Sequence, residues 1–337
     1  MKENIEDYRK NGQINLDEYF RNNPSSFTYP YYIDGYDELN FWAQVGKGNK
    51  EKYIYIKPRD NYDENPNYNI YAELVYEELI KQVGIKSASL DLGKYNGMDA
   101  TFADNILDNY DKDIFLINGS ELVEGKRYLS ETESSLDDLF DAIEDYCRAE
   151  YLERNVQNEC IEDIEKICIA DIYTLSTNRR VTDYDFLAGK DKYGNEIFKV
   201  APNCHNTYPL GSNSSLDDMY DMLENEDMLA DRVNTFYTDS GVPENKRNID
   251  YPYWEDTLYY IIEENPNMLN FARNCAKKMD IAKAIYNVEE KIKSRIPIEY
   301  KEFMYEVFNN RLQNICECID IDYYELIDQK EIEREEI

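Results

Sequence analysis

The sequence predicts an α+β protein in two lobes, strand-rich first and helical second. Three observations carry this. A clean strand alternation with a glycine turn falls between residues 41 and 58, and hydroxyl-capped helical periodicity dominates after residue 134. The 337 residues contain no internal repeat and no Pro/Gly/Ser linker, and 42% of them are hydrophobic, enough for one large domain or two lobes. The expected divisions are an N-terminal extension over 1–24, a strand-rich lobe with a connecting hinge over 25–125, and a helical lobe over 126–337.

Taken in order, Phe41-Trp42-Ala43-Gln44-Val45 and Tyr53-Ile54-Tyr55-Ile56-Lys57-Pro58 read as a hairpin about the turn Gly46-Lys47-Gly48-Asn49-Lys50. Ile54 and Ile56 share one face of the second strand, and Tyr53, Tyr55 and Lys57 the other. Residues 60–69 are polar and read as a loop. Ile70 to Val83 reads as a helix, with apolar positions 70, 74, 75, 79, 80 and 83 and a closing Gly84. Strands are expected at Ser87–Leu92 and Met98–Phe102, and a short element over Asp113–Leu122. Ser134 or Ser135 opens a helix with acids in its first turn. A helix over Ile161–Leu175 follows. The strands Tyr184–Leu187 and Glu196–Val200 then flank Lys192-Tyr193-Gly194-Asn195. Ser214 or Ser215 caps the next helix. Further helices are expected near 255–264, 266–278, 280–294 and 298–318, before an acidic end after Asp328.

Charge excludes several functions. Thirty-seven Lys and Arg against 70 Asp and Glu give 37 − 70 = −33. Such a chain is repelled by phosphate backbones and anionic lipid, so direct nucleic-acid or membrane binding is not expected. A partner, if any, is a protein, and the acidity favours a basic one. No run of about 18 apolar residues is present. Met1 to Asp7 lacks the apolar core of a secretion signal, and seven scattered cysteines read as reduced thiols, so a cytoplasmic location is expected. There is no Gly-x-x-x-x-Gly-Lys-Ser/Thr phosphate loop and no Gly-x-Ser-x-Gly elbow. Cys316 and Cys318 are too close for a usual zinc knuckle.

The centre of the chain carries the chemistry. Thr177-Asn178-Arg179-Arg180-Val181-Thr182-Asp183-Tyr184-Asp185-Phe186-Leu187 leaves a helix and enters a strand, and Ala201-Pro202-Asn203-Cys204-His205-Asn206-Thr207-Tyr208-Pro209-Leu210-Gly211 follows. This pair of segments resembles the catalytic loop (D-R-H-x-x-N-x-G) and the metal loop (A-P-x-F-D-N-S/G-x-S-L-G) of HipA-like kinases. The resemblance covers about residues 40–215. It implies a protein-kinase-like fold, ATP with Mg²⁺ or Mn²⁺ as cofactors, and a protein substrate or partner. It places the nucleotide-binding lysine at Lys57 and its paired glutamate at Glu73. The phosphate-covering turn falls at Gly46 and Gly48.

Three positions that carry chemistry depart from the family pattern, beside Cys204 in place of an aromatic and Arg180 in place of the loop histidine. The catalytic aspartate falls on Asn178, and an amide cannot usefully accept the substrate proton. The metal asparagine falls on Asp183, which retains an oxygen. The metal aspartate falls on His205, a poor ligand for Mg²⁺. One reading is therefore a pseudokinase that binds nucleotide weakly or acts through a protein partner. A second is an active phosphotransferase whose base is Asp183 or Asp185. A third is an interaction protein without a ligand. Asp183 and Asp185 would share a face in an extended strand, and with His205 would make a two-carboxylate, one-imidazole site for Mn²⁺, Fe²⁺ or Zn²⁺. The Arg179-Arg180 doublet would contact a phosphate or pair with acidic side chains.

Overall fold

The computed structural model describes residues 4–23, 41–46, 52–58, 66–124, 135–176, 179–203, 208–234 and 254–335. The first two strands of the sequence reading form as expected. β3 (Phe41–Val45) pairs antiparallel with β4 (Lys52–Pro58), with Ala43 opposite Ile54. β4 then pairs with β6 (Met98–Asp104), which also pairs with β5 (Leu90–Tyr95).

Residues 5–22, expected as an extension, complete this sheet. β1 (Arg9–Lys10) and β2 (Gln13–Asn15) form a small hairpin, and β2 lies parallel to β5, giving the order β1-β2-β5-β6-β4-β3. α1 (Leu16–Asn22) is capped by the Asn15 side chain and lies over the sheet's outer face. There Ile14, Leu16, Tyr19 and Phe20 bury Ile54, Ile56, Ala100 and Phe102 in a core of their own. Asp17 accepts from the Asn96 and Gly97 amides at 2.7 and 2.9 Å, pinning the β5–β6 turn.

α2 (Pro66–Gln82) covers the inner face and starts a turn before the expected Ile70. Its end shows why Gly84 is glycine. Gly84 sits at φ +85, where a side chain is strained, and the Gly84 and Ile85 amides return to the Lys81 and Ile80 carbonyls.

The expected element over 113–122 divides into β7 (Ile114–Asn118) and α3 (Gly119–Glu124). β7 joins β8 (Asp185–Lys190) and β9 (Glu196–Val200) in a second antiparallel sheet, order β7-β8-β9. Gly119 donates to the Tyr184 carbonyl at 2.7 Å, and a Cβ there would lie 2.3 Å from the Val181 carbonyl oxygen. That close approach seats the turn before β8.

The second half is helical. Ser135 and Asp138 form a reciprocal capping box for α4 (Leu136–Ala149). α5 (Arg154–Tyr173) begins two turns before the expected Ile161, because its first turns are polar and exposed. Its last turns are buried on all sides, from Ile167 to Tyr173. α6 (Leu216–Glu224) is capped by Ser215, and α7 (Glu226–Asn234) follows. α8 (Trp254–Glu264), α9 (Asn267–Lys278), α10 (Ile281–Ile292), α11 (Ile298–Cys318) and α12 (Tyr323–Glu335) complete the lobe. One continuous core joins them to α2 and both sheets. Among the described residues no helix is long and apolar enough to cross a membrane.

Cys147, Cys160, Cys168, Cys275 and Cys316 are buried and unbridged. Burial pushes the Cys160 and Cys168 thiols up to about 12, and those of Cys147 and Cys316 up to about 11. An unfolded thiol ionises near 8.5, so the unfolded chain releases protons first as pH rises, and stability falls from about pH 9 upward. We expect these thiols to resist alkylation at neutral pH until denaturant is added, and the urea midpoint to fall through that alkaline range. A level midpoint would contradict it.

Candidate active site

α2 organises the site, because successive faces of the helix meet different parts of it. Glu73 points to the sheet and is only 4% exposed. It forms an ion pair with Lys57 on β4, and its second oxygen accepts from Thr101 Oγ1 at 3.2 Å. Lys57 and Thr101 are direct cross-strand partners, so the sheet register delivers both groups to one carboxylate. Burial of Glu73 is tolerable because a cation and a hydroxyl satisfy it. Lys57 itself is 37% exposed.

Tyr76, one residue short of a turn further on, reaches the opposite lobe. Its hydroxyl donates to Asp171 Oδ1 at 2.7 Å and accepts from Arg179 Nη2 and Asn203 Nδ2, each at 3.1 Å. One donor and two acceptor positions are all used. Arg179 grips Asp171 in a fork, Nε to Oδ2 at 2.5 Å and Nη2 to Oδ1 at 3.0 Å, and gives Nη1 to Asn203 Oδ1 at 3.1 Å. Arg179 is 1% exposed and Asp171 fully buried. Burial works against the Arg179 charge, but Asp171 and then Tyr76 outweigh it and hold the guanidinium's affinity for its proton well above normal. Burial first, then Asp171, raises the Tyr76 phenol far above its ordinary value, so it stays protonated.

This network ties the two central loops to α2. Asn203 opens the second loop and also bonds through its backbone to Lys86 and Ala88. At the loop's other end Tyr68 donates to the Leu210 carbonyl at 2.6 Å, Ser212 donates to Asn69 at 2.9 Å, and the Leu210 amide meets the Thr174 carbonyl at 2.6 Å. Tyr208 and Leu210 both hold left-handed backbone angles, φ 47 and φ 55, which bulky residues adopt only when held.

The remaining sequence-derived candidates fall as follows. Gly46 ends β3 at φ +85, and its amide donates to the Tyr19 hydroxyl at 2.7 Å. Gly48, Asn178 and His205 lie outside the described residues. Asp183 and Asp185 do not share a strand face. Val181–Asp183 is a short 3-10 turn, closed by Asp183 Oδ2 accepting the Arg180 amide at 2.7 Å. Asp185 opens β8 and accepts from Asn118 Nδ2 at 3.0 Å, while the same amide group reaches the Thr182 carbonyl at 2.8 Å. The alternation rule fails because the chain between them turns rather than extends. Among the described residues no three His, Cys, Asp or Glu side chains gather as a metal site. Of the arginine doublet, Arg179 pairs with an acid in the interior and Arg180 is exposed. Tyr76, Asp171 and Asn203 were not singled out from sequence. A tyrosine three residues after a paired glutamate on one helix is the signal that was available.

No family model matches the sequence, and no curated protein matches it. Solved structures do. The chain is similar to the Helicobacter pylori proinflammatory kinase CtkA, with a TM-score of 0.63 and 16% identity over 90% of this chain and 100% of that one. It is also similar to HipA of Shewanella oneidensis MR-1, determined with HipB and operator DNA, with a TM-score of 0.51 and 11% identity over 94% of this chain and 73% of that one. A strand-rich lobe, a mostly helical lobe and these two likenesses give one conclusion: this chain has the fold of the HipA-like kinases.

Proposed function

We propose that this chain is a nucleotide-binding protein of HipA-like kinase fold, impaired in phosphoryl transfer, that acts through a protein partner. The observation that carries the reading is the Lys57–Glu73 ion pair. A part-exposed ammonium held by a buried carboxylate can reach a phosphate chain, and this pair joins the strand and helix on which the family resemblance places the nucleotide-binding lysine and its glutamate. Asn178 offers no proton acceptor, and the imidazole of His205 suits Mg²⁺ poorly. Mg²⁺ or Mn²⁺ would be held through Asp183, whose second oxygen is not the one bonded to Arg180. The metal would neutralise phosphate charge. Asp183 as a displaced base is the competing reading. The two readings differ in what Asp183 does, since one of its oxygens accepts the Arg180 amide in either case.

A thermal-shift titration with ATP, with and without Mg²⁺ or Mn²⁺, tests the proposal. A metal-dependent shift without phosphate release is expected. No shift would leave only an interaction protein. Labelled phosphate on a product, abolished by Asp183→Ala, would establish the active enzyme instead. Lys57→Ala is expected to weaken ATP binding by about 10- to 100-fold, the scale of one charge-assisted contact. Unchanged affinity would remove Lys57 from the site.

A further inference from the structure

Glu73 is not the only buried acid on α2. Glu77 lies one turn further along the same face and is fully buried. Its Oε1 pairs with Lys81 on its own helix and accepts from Ser87 Oγ at 3.5 Å. Its Oε2 accepts from the Leu90 amide at 3.2 Å and from Lys291 Nζ at 3.5 Å. Lys291 belongs to α10, in the helical lobe, and its ammonium also donates to the Leu90 carbonyl. One lysine of the second lobe thus meets both α2 and β5 of the first.

The contact continues along α10. At the end of α2, the Gln82 side chain exchanges hydrogen bonds with the Asp280 backbone, receiving its amide at 2.6 Å and donating to its carbonyl at 3.1 Å. Asn287 Nδ2 lies 3.4 Å from Glu78 Oε2. Residues 280, 287 and 291 recur at helical spacing, so they form one edge of α10. They meet residues 82, 78 and 77 in reverse order, so the two helices run antiparallel. Past that seam, Gly12 of the β1–β2 turn rests on the Ile292 carbonyl, so closely that a Cβ would fall 0.9 Å from the oxygen.

We propose that α10 is a clasp that positions α2, with Lys291 and the Gln82–Asp280 pair as positioning residues for the Lys57–Glu73 ion pair. Glu73 and Glu77 project from one face, so a rigid helix cannot carry Glu73 away from Lys57 without pulling Glu77 from its partners. Removing Glu77 from Lys291 and the Leu90 amide would leave a buried carboxylate short of donors. The lysine–glutamate pair is therefore held closed by the chain's own second lobe. This inference goes beyond the nucleotide reading, and its main readout does not use nucleotide.

The test is the rate at which an amine-acetylating reagent labels Lys57, followed by mass spectrometry, with backbone hydrogen exchange of α2. In the Gln82→Ala/Lys291→Met variant, which loses both Lys291 contacts and the Gln82–Asp280 pair, Lys57 labelling and α2 exchange are expected to rise at least about tenfold, the effect on a local opening of losing a single charge-assisted bond. Labelling of Lys190 and exchange of α5 are expected to stay at wild-type rates. Lys291→Arg with Gln82 intact should restore slow labelling. Lys291→Met alone, a milder change, should give a smaller rise in the same two readouts. Wild-type Lys57 rates in both Met variants would overturn the clasp, and so would a parallel rise at Lys190 and throughout α5. Failure of the wild-type chain to bind ATP would sink the nucleotide reading and leave this measurement standing.

Discussion

Asn178→Asp combined with His205→Asp is expected to raise phosphoryl transfer by on the order of 10²–10⁴, the usual contribution of a general base, with further help from a proper Mg²⁺ ligand. The reasoning is local. Phosphoryl transfer asks the protein to position groups and to take up one proton. On the proposed reading the neighbours of both altered positions are held: Arg179, the next residue after 178, is locked to Asp171, Tyr76 and Asn203. Asn203, two residues before 205, is locked to the same cluster. A carboxylate placed at 178 therefore starts from an anchored neighbour. Transfer of labelled phosphate from ATP, to the chain itself or to a generic acceptor protein, is the measurement. ATP affinity should change much less than rate, because Lys57 is untouched. A double variant that binds ATP and still transfers nothing would show that the missing base is not what limits this site.

Asp171→Ala is the substitution expected to cost most stability. It takes from the Arg179 guanidinium, 1% exposed, the carboxylate it grips in a fork, and leaves neutral groups such as the Tyr76 phenol and the Asn203 amide beside a buried charge. Breaking a buried ion pair from one side typically costs about 3–5 kcal/mol. Neither partner is solvent-exposed, so the discount that applies to surface pairs does not apply here. Urea denaturation gives the number directly. Asp171→Leu with Arg179→Met should recover most of the loss, since it removes both charges at once. A cost under about 1 kcal/mol for Asp171→Ala would mean that solvent reaches the pair after all.

Local chemistry was legible in the sequence, and long-range chemistry was not. The β3–β4 hairpin, the glycine stop of α2, the Ser135 box and the order of the C-terminal helices are written in residues a few positions apart. Lys57 and Glu73 were reachable only because two loops far downstream resemble a family pattern, and the ion pair joins a strand and the next helix. The network around Tyr76 was not reachable. Its partners are 95, 103 and 127 residues away, and a buried arginine looks like a surface one until its acid is placed. Residues 5–22, expected as an extension, join the sheet through a contact that is long-range as well. The Asn11-Gly12 turn of β1–β2, both residues at positive φ, was a local signal, but strands of two and three residues carry almost no periodicity and the parallel pairing with β5 leaves no turn to read. Asp183 and Asp185 show the converse error, an alternation applied across a 3-10 turn.

The seat of Gly12 on Ile292 has a consequence for biosynthesis. The two residues are 292 − 12 = 280 positions apart. The β1–β2 hairpin is therefore synthesised 280 positions before its support. Until α10 is made, Ile14, Leu16 and Phe20 can bury the sheet's outer face, while the end of the hairpin waits for its support. Such distant closure belongs to slowly maturing chains, whose early halves depend on chaperones until the late helices emerge.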